Sequence, residues 1–418
     1  MKGGKSVPEK ACPAASRSIP AAFLLATLGL LLAAGAQGAA NDAAFAACIE
    51  RIGDRARQAG ISEPVIRDVL GKAQPLERVI GLDRGQPEFT RSFADYYGRR
   101  VTEERVRRGR EVLEQHRAAL MAAQRRYGVP AHYLVAFWGL ETNFGSYYGK
   151  IPVPDALATL ACDARRGPFF TEELLAALRI VDAGDIAPER MVGSWAGAMG
   201  NFQFLPSVFL RHAIDADGDG RRDLWHSTED AILSAGNFLQ ALGWQPELRW
   251  GREIRLPDGF DYALAGRDQR RSLADWVEIG ITDAWGRPLP RLEGLPAAVL
   301  VPAGHEGPAF IVYENFDVIM GWNRSEFYAL AVGRLADRIA GVGPLVGGLP
   351  EDSARLRRED VKGLQSTLAA MGYDPGEPDG IVGPATRRAV SAYQKDRGLV
   401  ADGHVDEELL TTLGAGPN

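Results

Sequence analysis

Apolar residues recur at helical spacing through most of the chain, and each such run predicts a helix. Phe45, Cys48, Ile49, Ile52 and Ala56 keep that spacing. Ala59-Gly60-Ile61-Ser62 breaks it, and Ser62 is placed to cap the next helix. Asn41 to about Gly128 reads as helical throughout. Between Val129 and Gly145, Pro130 suits the first helical position, where its missing N–H costs nothing. Leu134, Trp138 and Glu141 then share one face, with Gly145 as the expected stop. Further helices are predicted from Thr171, over Asp230 to Gly243, and over Tyr328 to Ile339.

After Gly243 the period shortens. Leu248 to Leu256 and Ala297 to Tyr313 read as short strands, the latter a pair turning around Gly304-His305-Glu306-Gly307. The pattern predicts a mainly α chain with a small β-rich insertion. Residues 341–352, rich in Gly and Pro, read as a linker. Beyond it, residues 353–418 form a separate three-helix domain whose core includes Val361, Leu364, Leu368, Val390, Tyr393, Leu409 and Leu410. That domain shows no carboxylate or His constellation and no repeat, so binding is expected of it rather than catalysis.

The N-terminus changes the picture of where the protein works. Lys2, Lys5, Lys10 and Arg17 precede an apolar run from Ala21 to Gly35 and then small residues to Ala40. Residues 1–40 therefore read as a signal peptide cleaved between about Ala36 and Ala40, with a retained anchor as the alternative. No stable membrane span is expected after cleavage. Without these residues the balance is 44 basic against 53 acidic, or −9, which argues against nucleic acid as a partner. Cys48 and Cys162 remain, an even pair in an exported protein. They are either bridged or two buried thiols.

Chemistry concentrates in three places. Glu141 sits at the end of an apolar stripe, and burial favours the protonated form of a carboxyl, as a general acid requires; the plainer alternative is a helix-end salt bridge. Ser194 to Phe209 sets Ser194, Asn201 and Gln203 among Trp195, Phe202 and Phe204, a mixture of stacking faces and neutral polar groups that suits a sugar. A close-packed helix pair is the alternative there. Asp215, Asp217, Asp219, Arg221 and Asp223 match the first nine positions of an EF-hand loop, but position 12 is His226. Glu229 or Asp230 would have to close the loop on calcium; otherwise it is an Asp/Gly turn. The run Arg99 to Arg110 is interleaved with Glu103 and Glu104, so it reads as a solvated helix face.

Four motifs, in order, resemble the catalytic domain of lytic murein transglycosylases of the membrane-bound B type. They are G-L-E-T-N-F-G around Glu141, L-A-C-D-A-R-R-G-P-F-F around Arg165 and Arg166, S-W-A-G-A-M-G-N-F-Q-F-L-P-S, and N-F-D-V-I-M-G-W-N-R-S-E-F-Y-A-L-A-V. D-V-K-G-L-Q-S-T-L and D-G-I-V-G-P-A-T-R-R-A-V-S-A-Y-Q resemble a peptidoglycan-binding domain. The resemblance implies a lysozyme-like catalytic domain over 41–340, with peptidoglycan glycan strands as partner and no required cofactor. It implies cleavage between N-acetylmuramic acid and N-acetylglucosamine with a 1,6-anhydro product, an exception to two-carboxylate glycosidases. Glu141 matches the acid/base, Ser194 and Gln203 match sugar-binding positions, and Arg165 and Arg166 match a pair near the substrate. Tyr96, Asn323 and Tyr328 match other cleft positions. The family's calcium loop corresponds to Asp215, Asp217, Asp219, Arg221 and Asp230, closing one residue later here. A cleft Tyr of the family is Phe238, and there is no lipobox, so a soluble periplasmic protein is expected. A hydrolytic muramidase using the same Glu141, or a silent wall-binding protein, are the alternatives.

Overall fold

The structure is a computed structural model that describes residues 42–85, 91–350 and 356–415; residues 1–40, read above as a signal peptide, lie outside these. Helices dominate, as the spacing predicts. The first covers 42–58 and buries Cys48, Ile52 and Ala56. Its Cys48 is joined to Cys162, with the two Cα atoms 5.9 Å apart. Ser62 does precede a helix, Glu63–Asp68, but its side chain does not cap it. Ser62 Oγ donates instead to Asp182 Oδ1 at 2.5 Å, stapling this helix to the end of Gly167–Asp182. That longer helix begins four residues before Thr171, because Pro168 fits a first turn that needs no N–H.

Ala131–Thr142 is the central helix and is buried on nearly every side rather than along one stripe. Pro130 is its N-cap rather than its first residue. It packs among Glu103–Gln115, Arg117–Tyr127, Thr228–Ala241 and Glu326–Ile339. Gly139 permits this crowding, since a Cβ there would lie 2.8 Å from the Phe144 ring.

The β-rich insertion is a five-stranded antiparallel sheet, and a separate two-stranded ribbon lies earlier in the chain. In chain order the ribbon strands are β1 (Ile151–Pro152) and β2 (Val192–Gly193). The sheet strands are β3 (Gly251–Arg255), β4 (Arg271–Ser272), β5 (Thr282–Asp283), β6 (Pro296–Leu300) and β7 (Ala309–Val312). The sheet order is β4-β6-β7-β3-β5. In β6 and β7, Ala298, Leu300, Phe310 and Val312 face the helical core. Ala297, Val299, Ala309 and Ile311 face a second core with Phe260, Leu273 and Trp276. Both faces are covered, which is why these strands are apolar at every position.

The Gly/Pro-rich segment is docked, not loose. Leu345 and Leu349 pack on the helical core, and the buried Glu253 carboxylate accepts from Val346 N at 2.9 Å and Gly347 N at 2.8 Å. The last domain consists of Arg358–Ala370, Pro384–Asp396 and Glu407–Thr412 around Leu364, Leu368, Val390, Tyr393 and Leu410.

Candidate active site

Glu141 lies in the last turn of the central helix, which stops because Asn143 and Phe144 take left-handed backbone (φ 50° and 60°) ahead of Gly145. The stop is thus two residues earlier than Gly145. Among the described residues the third non-glycine with positive φ is Gln203, at 51°. Each such conformation costs about 1 kcal/mol or more and persists only where surroundings impose it. All three residues belong to the loops on either side of the Glu141 helix end.

These loops are clamped together. Gln203 Nε2 donates to Tyr148 O at 3.2 Å and to Gly200 O at 3.1 Å. Gly149 approaches Gly193 so closely that a Cβ would lie 1.9 Å from Gly193 O. Asn201, expected to face a sugar, is buried instead. Its Oδ1 accepts from Trp138 Nε1 at 3.0 Å, and its Nδ2 donates to Leu224 O and Trp225 O at 2.9 and 3.1 Å. Thr142 Oγ1 donates to Asn201 O at 2.7 Å and accepts from Gly145 N at 3.0 Å. Asn201 therefore ties the helix, the glycine loop and the acidic loop into one body.

The Glu141 carboxyl is half-buried. Its Oε1 accepts from Trp322 Nε1 at 3.0 Å and from the Tyr328 hydroxyl. The Trp322 indole is boxed by Phe137, Phe238 and Phe204, with centroids 4.7, 5.0 and 5.5 Å away. Burial, then the charge of Glu141, push the Tyr328 phenol well above its ordinary range, so it remains a proton donor. Tyr96 is buried beside Phe327, with the Arg100 guanidinium 5.4 Å over its ring. Arg100 also donates to Leu140 O at 3.3 Å, so it turns inward from a segment that was expected to be a solvated face. Arg107 and Arg108 do face solvent, paired with Glu104 and Glu111.

Of the other candidates, half-buried Ser194 accepts from Ala198 N at 3.1 Å. Asn323 is exposed just past the Glu314–Trp322 helix and accepts from Ser325 N at 3.1 Å. Arg165 and Arg166 form a separate cluster. They bracket the buried Asp83, Arg165 Nε lying 2.9 Å from Oδ2 and Arg166 holding Oδ1, and Arg166 covers Phe170 at 4.9 Å. They stand just beyond the C-terminal end of the Val153–Ala161 helix, whose Leu157 packs on Gly197. Trp322 and Arg100 escaped the sequence reading. Trp322 was visible only as a neighbour of Asn323 in the fourth motif.

In the acidic loop, Asp215, Asp217 and Asp230 bring carboxylate oxygens within 4.8 Å of one another, and Asp219 is not in that group. Asp230 is fully buried, accepts from Ala216 N and Asp223 N at 2.8 Å each, and is pushed up by burial despite these bonds. A divalent cation would favour its ionised form, so these three acids fit one. His226 turns away to Asp223 and Arg190.

A helix-end carboxyl, gripped by an indole and a phenol beside clamped glycine- and aromatic-rich loops on a lysozyme-like helical domain, defines a glycan-cleaving class of site. The chain belongs to the lytic transglycosylases: residues 44–337 match the transglycosylase SLT domain family and residues 357–413 a peptidoglycan-binding domain family. It is 30% identical over 297 residues to membrane-bound lytic murein transglycosylase B of Escherichia coli K12, spanning 67% of this chain and 79% of that protein. Its fold is similar to SltB3 of Pseudomonas aeruginosa, solved in complex with NAG-anhNAM-pentapeptide, at TM-score 0.85 and 44% identity over 88% of this chain and 99% of that one. It is also similar to Escherichia coli Slt35 in complex with calcium, at TM-score 0.61 and 29% identity over 70% and 92% of the two chains.

Proposed function

We propose that the protein cleaves the β-1,4 bond between N-acetylmuramic acid and N-acetylglucosamine in peptidoglycan, with Glu141 as the sole acid/base. The observation that carries this is the double grip of Trp322 and Tyr328 on Glu141 Oε1. The transferable proton is the one the Glu141 carboxyl carries. Glu141 gives it to the glycosidic oxygen as the bond to C1 of the muramic residue breaks. The muramic C6 hydroxyl oxygen then bonds to C1, and its proton returns to the carboxylate, so no water is consumed. Trp322 and Tyr328 stabilise the carboxylate between the two transfers. Ser194 and Gln203 would hold the sugars, with Tyr96 and Asn323 further along the cleft. Arg165 and Arg166, already neutralised in part by Asp83, would meet lactyl or peptide carboxylates. Calcium at Asp215, Asp217 and Asp230 would brace the loop that anchors Asn201; it takes no part in the reaction.

Domains at 41–340 and 353–418, export by residues 1–40 and a periplasmic location complete the proposal. No helix among the described residues is long and apolar enough to cross a membrane. The test is mass spectrometry of muropeptides released from purified peptidoglycan. Products lighter by one water than the hydrolytic ones support the transglycosylase. Reducible, hydrated ends support the muramidase. Glu141→Gln should bind the wall and release nothing; unchanged release refutes Glu141 as the acid.

A further inference from the structure

The C-terminal domain uses one device twice, a repeat the sequence reading missed. Gln365 Oε1 accepts from Gly380 N at 2.9 Å, and its Nε2 donates to Asp379 Oδ1 at 3.1 Å, which also accepts from Ile381 N at 2.9 Å. Gln394 Oε1 accepts from Gly403 N at 2.8 Å, and its Nε2 donates to Asp402 Oδ1 at 3.0 Å, which also accepts from His404 N at 2.9 Å. The two brackets match group for group.

They differ in what covers the second carboxylate oxygen. Asp379 is exposed. Asp402 Oδ2 is covered by the tip of the β6–β7 hairpin of the catalytic domain, where His305 N and Nδ1 lie 2.8 and 2.7 Å away. The Asp402 side chain is left 3% exposed. Gly304 makes the approach possible: it sits at φ +71°, and a Cβ would lie 2.8 Å from Asp402 Oδ2 and 2.9 Å from His404 Cβ. On the linker side, Glu253 holds Val346 N and Gly347 N, and Arg334 Nη2 donates to Gly343 O at 3.0 Å.

We infer that the hairpin tip and the docked linker form a latch that holds the peptidoglycan-binding domain in one orientation to the Glu141 cleft, with His305 and Asp402 as positioning residues for polymeric substrate. The inference rests on the reaction proposed above. A module on a free tether keeps a strand nearby in any direction. A latched module presents it to the cleft in one direction, which raises the effective concentration of the productive pose. A fragment too short to touch both domains gains nothing.

The test uses the full chain and two variants. Asp402→Asn keeps an oxygen for the bracket and turns the latch oxygen into an amide that opposes the His305 N–H. His305→Ala removes only the imidazole. The bracket at Asp379 lacks a hairpin contact, so the domain fold does not depend on the latch. Small-angle scattering should show a larger maximum dimension for both variants. Release from sacculi should fall about tenfold, while release from a short soluble glycan and sedimentation with the wall stay at wild-type level. Wild-type scattering with a sacculus rate unchanged in both variants overturns the latch, as does equal slowing on both substrates. If the wild-type protein forms no anhydro ends, the reaction is refuted separately, and the scattering comparison alone decides the latch.

Discussion

Tyr328→Phe isolates the grip on the acid. Tyr328 is buried in the first turn of Glu326–Ile339, and its hydroxyl reaches Glu141 Oε1. The substitution removes that oxygen and keeps the ring against Phe137, 6.3 Å away. A hydrogen bond to a charged group is worth about 1.5–3 kcal/mol. At about 1.4 kcal/mol per factor of ten, its loss from the step in which Glu141 is ionised lowers kcat about 10- to 150-fold. KM should hardly move, because the lost bond touches the acid and not the sugar. Trp322→Phe should behave alike, since Trp322 is the second donor to the same oxygen at 3.0 Å. The assay is the initial rate of anhydro-muropeptide release at several concentrations of soluble glycan, with a melting curve confirming the fold. A Tyr328→Phe enzyme that keeps its kcat, or one whose KM rises at constant kcat, would refute the positioning role; the second result would place the hydroxyl on the substrate.

Asn201→Ala should destabilise the domain by about 3 kcal/mol, because it leaves the buried Trp138 N–H unpaired and Trp225 O without the Asn201 amide, while Leu224 O keeps the backbone N–H of residue 201; chemical denaturation measures it, and no change would refute the hub. Chelation should lower the melting temperature if Asp215, Asp217 and Asp230 hold calcium, and added calcium should restore it; identical melts would count against the ion. His132 is held down to about 4, first by burial and then by Arg249. The unfolded chain takes up its proton below about pH 6.5 while the folded chain resists until about pH 4, so stability is intact above that window and falls through it, by about 3 kcal/mol in all. His132→Gln should flatten that part of the melting-temperature profile; an unchanged slope would show that His132 is not its source.

Local chemistry was legible where it is also structural chemistry. The helical spacing located Thr228–Ala241 and Glu326–Ile339 to within about two residues. Glu141 and Gln203 stand out from their neighbours in the sequence and Tyr328 only through the family resemblance, and the structure brings Glu141 and Tyr328 into contact. Asn201 was misassigned because a polar residue among aromatics looks the same whether it faces a ligand or satisfies buried partners. Arg100 was lost in a charged run because neighbours along a helix do not reveal which arginine turns inward. The Ser62 cap failed because Asp182, distant in sequence, competes for its hydroxyl.

What the sequence determined by itself is what depends on period and short-range chemistry: which segments are helices and strands, the two folding units, and the motif around the acid. Only the tertiary structure decided which atoms meet. The grip of Trp322 and Tyr328 on Glu141 spans 181 and 187 residues, and the His305–Asp402 contact spans 97. Such contacts are set by how buried faces pack against one another, and no local pattern encodes the outcome of that packing.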